Sequence, residues 1–517
     1  YGAVSLLTRT LETVCCDAEM RDAEVVVVGA GNAALCSALA ASELGATVRV
    51  IEFAPEAESG GNSGFTGGAM RVVFNGLADL QELMPDLSDA EKRSSDFGTY
   101  SQEEFFADMA RVTENRADPD LVETLVTNSF STLRWMHEIG VRFQPSYGRQ
   151  AFKVDGKFQF WGGLAVEVNG GGPGLIEKLV SAARQRGVEI QYQARAIDLL
   201  FDGRSVHGVK VRSRGETFEV HAGAVVLASG GFEANREWRT RYLGPGWDLA
   251  KVRGTRFNLG DGIRMALDIG ASPAGHWSGC HAVAWDMNSP EFGDLAVGDG
   301  FQKHSYPLGI MVNANGQRFV DEGADFRNFT YAKYGRRILE QPGHFAWQIF
   351  DSKVSDLLRS EYRIREVTAV RADSIEDLAN RLDGVDGVAF QRTVEDFNRS
   401  VQEDVPFNPN VKDGRATVGL DPPKSNWANQ LSDPPFEAYM VTCGITFTFG
   451  GLRVNPSANV IDVYGQAIPG LYAAGELVGD LFYFNYPGGT GLTSGAVFGR
   501  LAGTGAANFA RPGTAAG

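Results

Sequence analysis

Apolar positions along the chain fall into two kinds of run. Short continuous runs have strand length: Val25–Val28, Thr47–Ile51, Val188–Tyr192, Ala196–Phe201, Val206–Val211, Thr217–Val220 and Ala224–Leu227. Four successive valines predict a strand buried on both faces. Longer runs with apolar residues three and four apart predict helices. Asp120–Ile139 carries Leu121, Leu125, Phe130, Leu133 and Met136 on one face. Further helices are predicted to Leu44, to Arg186, to Ile269, over Asp373–Leu382 and Val388–Val401, and to Ala507. Residues 75–118 are acidic and irregular, and read as surface; 405–436 is rich in Pro and Asn and reads as a loop.

The first strand runs into Gly29-Ala-Gly31-Asn32-Ala33-Ala34, then a helix, a second strand and Glu52, 23 residues after Gly29. That is a dinucleotide-binding fingerprint in its required context. Gly29 permits the tight turn and Gly31 lets the backbone approach a pyrophosphate. Asn32 and Ala33 open the helix whose N-terminus faces the negative charge. Glu52 is placed to accept hydrogen bonds from a ribose diol. The next loop alternates glycines with donors: Gly61, Asn62, Ser63, Thr66, Gly67 and Gly68. It is either a flexible linker or a wrap around a flat ligand beside the pyrophosphate. Ala194, at the head of the later strands, and Ala228-Ser229-Gly230, at the end of a buried one, join the cofactor side. Asn258 and Asp261 open a helix; Asp261 caps it or faces the cofactor. Gly475-Glu476 ends a late apolar strand, with the acid available to sugar-chain hydroxyls. Gly491, Leu492 and Thr493 begin the last helix, where N–H groups meet an electron-rich carbonyl.

Composition narrows the picture. A chain of 517 residues implies two domains, and a net charge of −16 argues against nucleic acid and anionic membrane partners. Any anionic substrate therefore needs a local Arg cluster. Five cysteines with no C-x-x-C argue against a zinc site or disulfide framework, no spacing resembles a metal site, and a reducing, cytoplasmic location is expected. No apolar run is long enough to span a bilayer. Residues 1–19 read as an upstream extension, disordered or non-native. The expected organisation is a cofactor domain in two parts, 20–275 and 441–517, with a second domain inserted at 276–440.

Several motifs occur in one order: G-A-G-N-A-A, G-G-N-S, A-V-V-L-A-S-G-G-F, N-x-G-D-G, R-F-V-D-E, P-G-L-Y-A-A-G-E and G-A-V-F-G-R. Together they resemble the fumarate reductase/succinate dehydrogenase flavoprotein superfamily, from Arg21 onward. R-F-V-D-E-G-A-D-F-R-N and T-C-G-I-T-F-T-F-G-G look closest to its tricarballylate dehydrogenase group. The resemblance implies an α/β chain: a Rossmann-like FAD-binding domain of glutathione-reductase type with an inserted α+β capping domain. It implies FAD, and hydride transfer between flavin N5 and a carbon α or β to a carbonyl or carboxylate. The glycine loop holds no His for a covalent histidyl link, so the FAD is expected to be non-covalent.

The departures from the family matter. Thr446-Phe447 stands where fumarate reductases carry a His pair, and their proton-shuttling Arg falls near Ser355, one helical turn from Arg359. Asn485-Tyr486-Pro-Gly488-Gly489 instead looks like the substrate segment of 3-ketosteroid Δ1-dehydrogenases. Desaturation beside a carbonyl needs a donor to the oxygen, a base for the α-proton and an acceptor for the β-hydride. Tyr486 with the Gly488 and Gly489 backbone is the expected donor. Arg327 or Arg336 is expected to anchor an acidic group, with Glu322 orienting Arg327. Tyr331 is the expected proton relay, its pKa lowered by an Arg. Thr446 falls on the substrate side, and His304 either lines the cleft or is a satisfied structural imidazole. Cys443 is expected to be a small packing residue. The expected reaction is FAD-dependent introduction of a C=C bond next to a carboxylate or ketone of a small molecule, such as a tricarballylate-like acid or cyclic ketone. A quinone or a carrier protein takes the electrons. The alternative is an enoate or fumarate-type reductase running the reverse direction.

Overall fold

The computed structural model describes residues 22–511; the segment 1–19, read above as an extension, lies outside them. Strand β1 (Ala23–Val28) is central to an eight-stranded sheet. Helix α1 (Asn32–Glu43) follows, and ten of its twelve residues are buried. Its run of Ala, Cys and Ser lets other elements approach on every side. β2 (Val48–Ile51) pairs parallel with β1, Val25 opposite Val48. The glycine loop makes a single 3-10 turn over Gly61–Phe65 and a two-residue strand at Ala69–Met70.

Residues 75–118, expected to be irregular, contain three short helices: Leu77–Leu83, Asp89–Ser94 and Gln102–Val112. Capping boxes at Ser88/Glu91 and Ser101/Glu104 start two of them. Phe105, Met109 and Val112 anchor the third in the core. The acidic residues that made this stretch look irregular are its caps and outer faces. Helix α2 (Pro119–Glu138) agrees with its predicted range, starting from an Asp118 cap. Helix α3 (Gly171–Gln185) packs on the glycine turn.

β3 (Glu189–Gln191) extends the parallel sheet beyond β2. β4 (Ala194–Phe201), β5 (Val206–Ser213) and β6 (Glu216–Leu227) form an antiparallel meander. The two strands expected at Thr217–Val220 and Ala224–Leu227 are one continuous strand, β6. Its outer half pairs with β5 and its inner half with β1, so its alternating burial becomes continuous midway. Helix α4 (Asp261–Asp268) then packs against β4, with Arg264 donating to the Ile197 carbonyl at 2.6 Å.

A second, six-stranded sheet is built on two long antiparallel strands, β7 (Pro273–Asp286) and β9 (Phe436–Leu452), with β8 (Ala346–Phe350) beside β9. β7 and β9 run through the residues at which composition changes, their pairing interrupted by register shifts between His276 and Cys280 and between His281 and Ala282. Helix α5 (Tyr331–Leu339) lies against β7. The chain then returns: β10 (Ala467–Ala473) pairs parallel with β6, and α6 (Thr490–Ala510) packs along α1. The architecture is the expected Rossmann-like α/β fold with an inserted cap.

Candidate active site

A single cleft runs from the C-terminal ends of β1 and β2 to the start of α6. Gly29, Gly31, Asn32, Ala33 and Glu52 line its first part. Gly61, Asn62, Ser63, Thr66, Gly67 and Gly68 line one side. Ala194, Ala228, Ser229, Gly230, Asn258 and Asp261 line the other, and Gly475, Glu476, Gly491 and Leu492 close it. Thr493 is not among them: its buried hydroxyl donates to the Arg71 carbonyl at 2.8 Å. Gly29 sits at φ 106°, and a Cβ there would stand 2.5 Å from the Ala228 carbonyl oxygen, so glycine alone serves the turn.

Three helices begin on this cleft without a side-chain cap: α1 after Gly31, α4 after Gly260 and α6 after Gly489. The Asn32 N–H of α1 donates to the Ser63 hydroxyl at 3.1 Å; the remaining first-turn N–H groups are suited to phosphate and carbonyl oxygens. Asp261 does not cap α4; it forms a two-point ion pair with Arg195 at 2.8 Å. The buried Ser229 Oγ has no partner among the described residues. These uncapped termini, the orphaned hydroxyl and the bare glycine walls fit an extended dinucleotide carrying phosphates and a flat ring.

The acids behave differently from each other. Glu52 is buried, which raises its carboxyl pKa, while the Ala54 N–H, 2.7 Å away, lowers it. Glu476 accepts from the N–H and hydroxyl of Thr448. Burial, then the adjacent Glu233, push Glu476 well above the carboxylate range, and burial also raises Glu233. The two carboxyls thus oppose each other's ionisation. Glu233 was not legible in the sequence. Asn62 and Asn258 both donate to its Oε1 at 2.6 Å, so these two amides brace the cleft from behind.

At the far end, the Tyr331 and Tyr486 hydroxyls are 2.8 Å apart and buried. The His281 ring lies 4.8 Å from each phenol ring, and the His304 ring 4.9 Å from that of Tyr331. Phe447 stacks on Tyr486 at 6.2 Å. Burial raises both phenol pKa values. The expected lowering of Tyr331 is therefore corrected: Arg253 and Arg327 pull its pKa down, but burial outweighs them. Burial, aided by Arg253 for His281 and by Arg359 for His304, holds both imidazoles well below the usual value.

Other expectations need correction. The Gly488 N–H is committed to the Asn328 carbonyl at 2.8 Å, which leaves Gly489 as the backbone donor to consider. Arg336 lies outside the cleft, half exposed, and pairs with Glu340 at 3.2 Å. On helix α5 it sits on the face opposite the buried Tyr331 and Tyr334. Glu322 does not orient Arg327; it pairs with Arg318. Thr446 lines the cleft, its hydroxyl donating to the Arg253 carbonyl at 2.6 Å. Cys443 is fully buried in β9, away from the cleft, and burial pushes its thiol up to about 12.

Arg327 does reach the cleft, together with Arg149 and Arg253, which the sequence did not single out. Arg253 pairs with Asp299 at 2.6 Å and Arg149 with Asp299 at 3.1 Å. Arg359 pairs with Glu361 at 2.5 Å. Burial opposes the charge on Glu361, but Arg359 and Arg149 hold its pKa at about 2. Among the described residues Arg327 has no ion pair; it donates to the Arg149 carbonyl and lies over the Trp161 ring. Burial and then Arg359 and Arg149 lower its pKa. This is a cationic pocket with one guanidinium left for a ligand. No local spacing announces Arg253; its place comes from the bond of its N–H to the Ile445 carbonyl at 2.8 Å.

Comparison with known proteins agrees with this geometry. The family described as "FAD binding domain" matches residues 24–492. The chain is 30% identical to the probable fumarate reductase Ifc3 of Shewanella frigidimarina (strain NCIMB 400), over 94% of this chain and 75% of that one. The open conformation of a flavocytochrome c3 fumarate reductase is similar at a TM-score of 0.71 and 28% identity, over 97% of this chain and 81% of that one. The fold is shared with 3-ketosteroid Δ1-dehydrogenase from Sterolibacterium denitrificans in complex with 1,4-androstadiene-3,17-dione. There the TM-score is 0.71 at 22% identity, over 94% of this chain and 99% of that one.

Proposed function

The chain belongs to the FAD-binding domain family and is an FAD-dependent oxidoreductase of carbon–carbon double bonds; we propose that it works as a dehydrogenase, introducing the double bond α,β to a ketone or carboxylate of a small molecule. The observation that carries this reading is the buried Tyr331–Tyr486 hydroxyl pair, 2.8 Å apart, with Phe447 packed against it. FAD, when bound, supplies the two-electron acceptor for the β-hydride.

Tyr486, kept protonated by burial, donates to the substrate carbonyl oxygen as enolate charge develops. The uncapped start of α6 at Gly489 adds a positive field at the same place. Tyr331 is a protonated phenol, so it takes up the α-proton by passing its own on. Its hydroxyl meets that of Tyr486 at 2.8 Å, and the neutral imidazoles of His281 and His304, whose ring centres lie 4.8 and 4.9 Å from its own, are the bases we propose receive that proton. Arg327 anchors a carboxylate elsewhere on the substrate. β7, β9 and α5 supply His281, Thr446, Phe447 and Tyr331 to this end of the cleft. We also propose that residues 276–440 form the substrate domain and 20–275 with 441–517 the cofactor domain. FAD is held without a covalent bond, and a quinone or carrier protein removes the electrons.

The second reading is reduction of an enoate. The names of the fumarate reductase relatives and the unpaired Arg327 favour it. Anaerobic mixing separates the two. A saturated cyclic ketone or carboxylic acid that bleaches the yellow protein supports dehydrogenation. Bleached protein that is reoxidised by fumarate or another enoate, with no bleaching by any saturated compound, supports the reverse direction.

A further inference from the structure

Behind the cationic pocket lies a second chamber of about 270 Å³. It shares Arg149, His304 and Arg327 with the cleft, so the two spaces meet at those side chains. Four aromatic rings follow one another around it. Phe152 stacks on Trp161 at 6.4 Å, Trp161 on Phe326 at 5.1 Å, and Phe326 leans on Trp427 at 5.6 Å. The rings of the first two pairs are within 17° of parallel, and the Arg327 guanidinium lies over the Trp161 ring. Leu308 and Leu358 complete the apolar lining, and the exposed Gly148, Asp356 and Ser360 mark an opening to solvent.

The polar atoms of the chamber are left over. Among the described residues, Arg359 Nη1, both ring nitrogens of His304 and Trp161 Nε1 are buried without a partner. Arg359 is 8% exposed and His304 1%. Arg327, 9% exposed, has no ion pair among the described residues. Buried donors left unpaired are costly, so an acceptor is expected to meet them. The proposed reaction uses Arg327 and His304 from the cleft side. It gives no role to Arg359 Nη1, Trp161 Nε1 or the ring wall.

We propose that this chamber is a binding site for an aryl carboxylate: a planar ring against Trp161 and Phe326, and its carboxylate on Arg359, Arg327 and His304. An apolar cavity of about 150 Å³ already takes benzene, so the space here admits one ring with a short substituent. Stacking supplies the ring's share of affinity and a guanidinium fork supplies the anion's. The ligand is either the remote end of an extended substrate or a separate small molecule, and the chemistry is the same for both.

Calorimetric titration of the FAD-loaded chain with benzoate, acetate and benzyl alcohol tests the site, and does not depend on turnover. Benzoate is expected to bind at least about tenfold more tightly than either control, because each control lacks one half of the match. Trp161→Ala is expected to remove most of that preference at unchanged FAD content. If that variant does not hold FAD, the half-buried Phe326→Ala replaces it. Benzoate binding no tighter than acetate, or unchanged in the variant that folds, overturns the proposal. Once a bleaching substrate is known, a KM raised about tenfold by the same variant identifies the site with that substrate's remote end. An unchanged KM beside weakened benzoate binding identifies a separate ligand. If no saturated compound bleaches the flavin, the proposed direction of reaction fails while the benzoate result still stands or falls alone.

Discussion

Arg327 concentrates the tension between stability and function in one side chain. It is buried, lacks a carboxylate and faces Arg149 and Arg359. A cation in that position destabilises the empty protein, and an apolar replacement relieves the strain. Arg327→Met is expected to raise the melting temperature while raising KM for carboxylate substrates by more than about tenfold. A lower melting temperature with unchanged KM would remove Arg327 from substrate binding. Glu52 makes the opposite case at the cofactor end. It lines the cleft where the fingerprint places a ribose-binding acid. Glu52→Ala is expected to lower FAD content on purification, measured by the ratio of flavin to protein absorbance; equal content would count against that role.

At the level of elements, the contact between α1 and α6 sets the spacing of the whole FAD domain. Gly495, Gly499 and Gly503 repeat every fourth residue on α6 and face α1. A Cβ at Gly503 would stand 2.0 Å from the Ser37 carbonyl oxygen, and one at Gly499 2.5 Å from that of Ala33. The helices must part to admit a methyl, so Gly503→Ala is expected to cost about 1–3 kcal/mol, read from the urea midpoint at unchanged m-value. A neutral result would mean that the helix pair has slack. The fingerprint around Gly29 and the valine strand were legible because local chemistry alone dictates them. The helices within 75–118 were not, because their few apolar anchors are diluted by capping acids. The cleft's phosphate end was legible for the same reason as the fingerprint: its residues are neighbours in sequence. Its reactive end was only half legible. Tyr331 and Tyr486 could be named from motifs, but Arg149, Arg253 and His281 come together only through long-range pairing, such as that of β7 with β9. Arg336 misled for the converse reason: it shares a motif with Tyr331 but lies on the far face of its helix.

The whole molecule carries a net charge of −16 yet gathers four buried or half-buried guanidiniums at one end of its cleft. Attraction for an anion is therefore local and short-ranged, shielded from the outer field by the cap. Two neutral imidazoles within the same cap give the fold a pH dependence. His281 and His304 are held well below the ordinary imidazole value of 6.5, chiefly by burial. The unfolded chain protonates them below that value and the folded chain does not. Their contribution is complete above pH 6.5 and is lost as the pH falls beneath it, at up to about 1.4 kcal/mol per pH unit for each. Urea midpoints followed from about pH 7 to about pH 5 are expected to fall less steeply for His281→Gln than for the parent chain; parallel curves would refute the neutral burial of His281.

The central claim is that a phenol at the end of an FAD cleft polarises the carbonyl of the substrate. The direct measurement is the anaerobic rate of flavin bleaching by a saturated ketone or acid, for the parent chain and for Tyr486→Phe at equal FAD content. The account predicts bleaching that slows by at least about tenfold in the variant, the scale of one lost transition-state donor. Equal rates in the two proteins would contradict it.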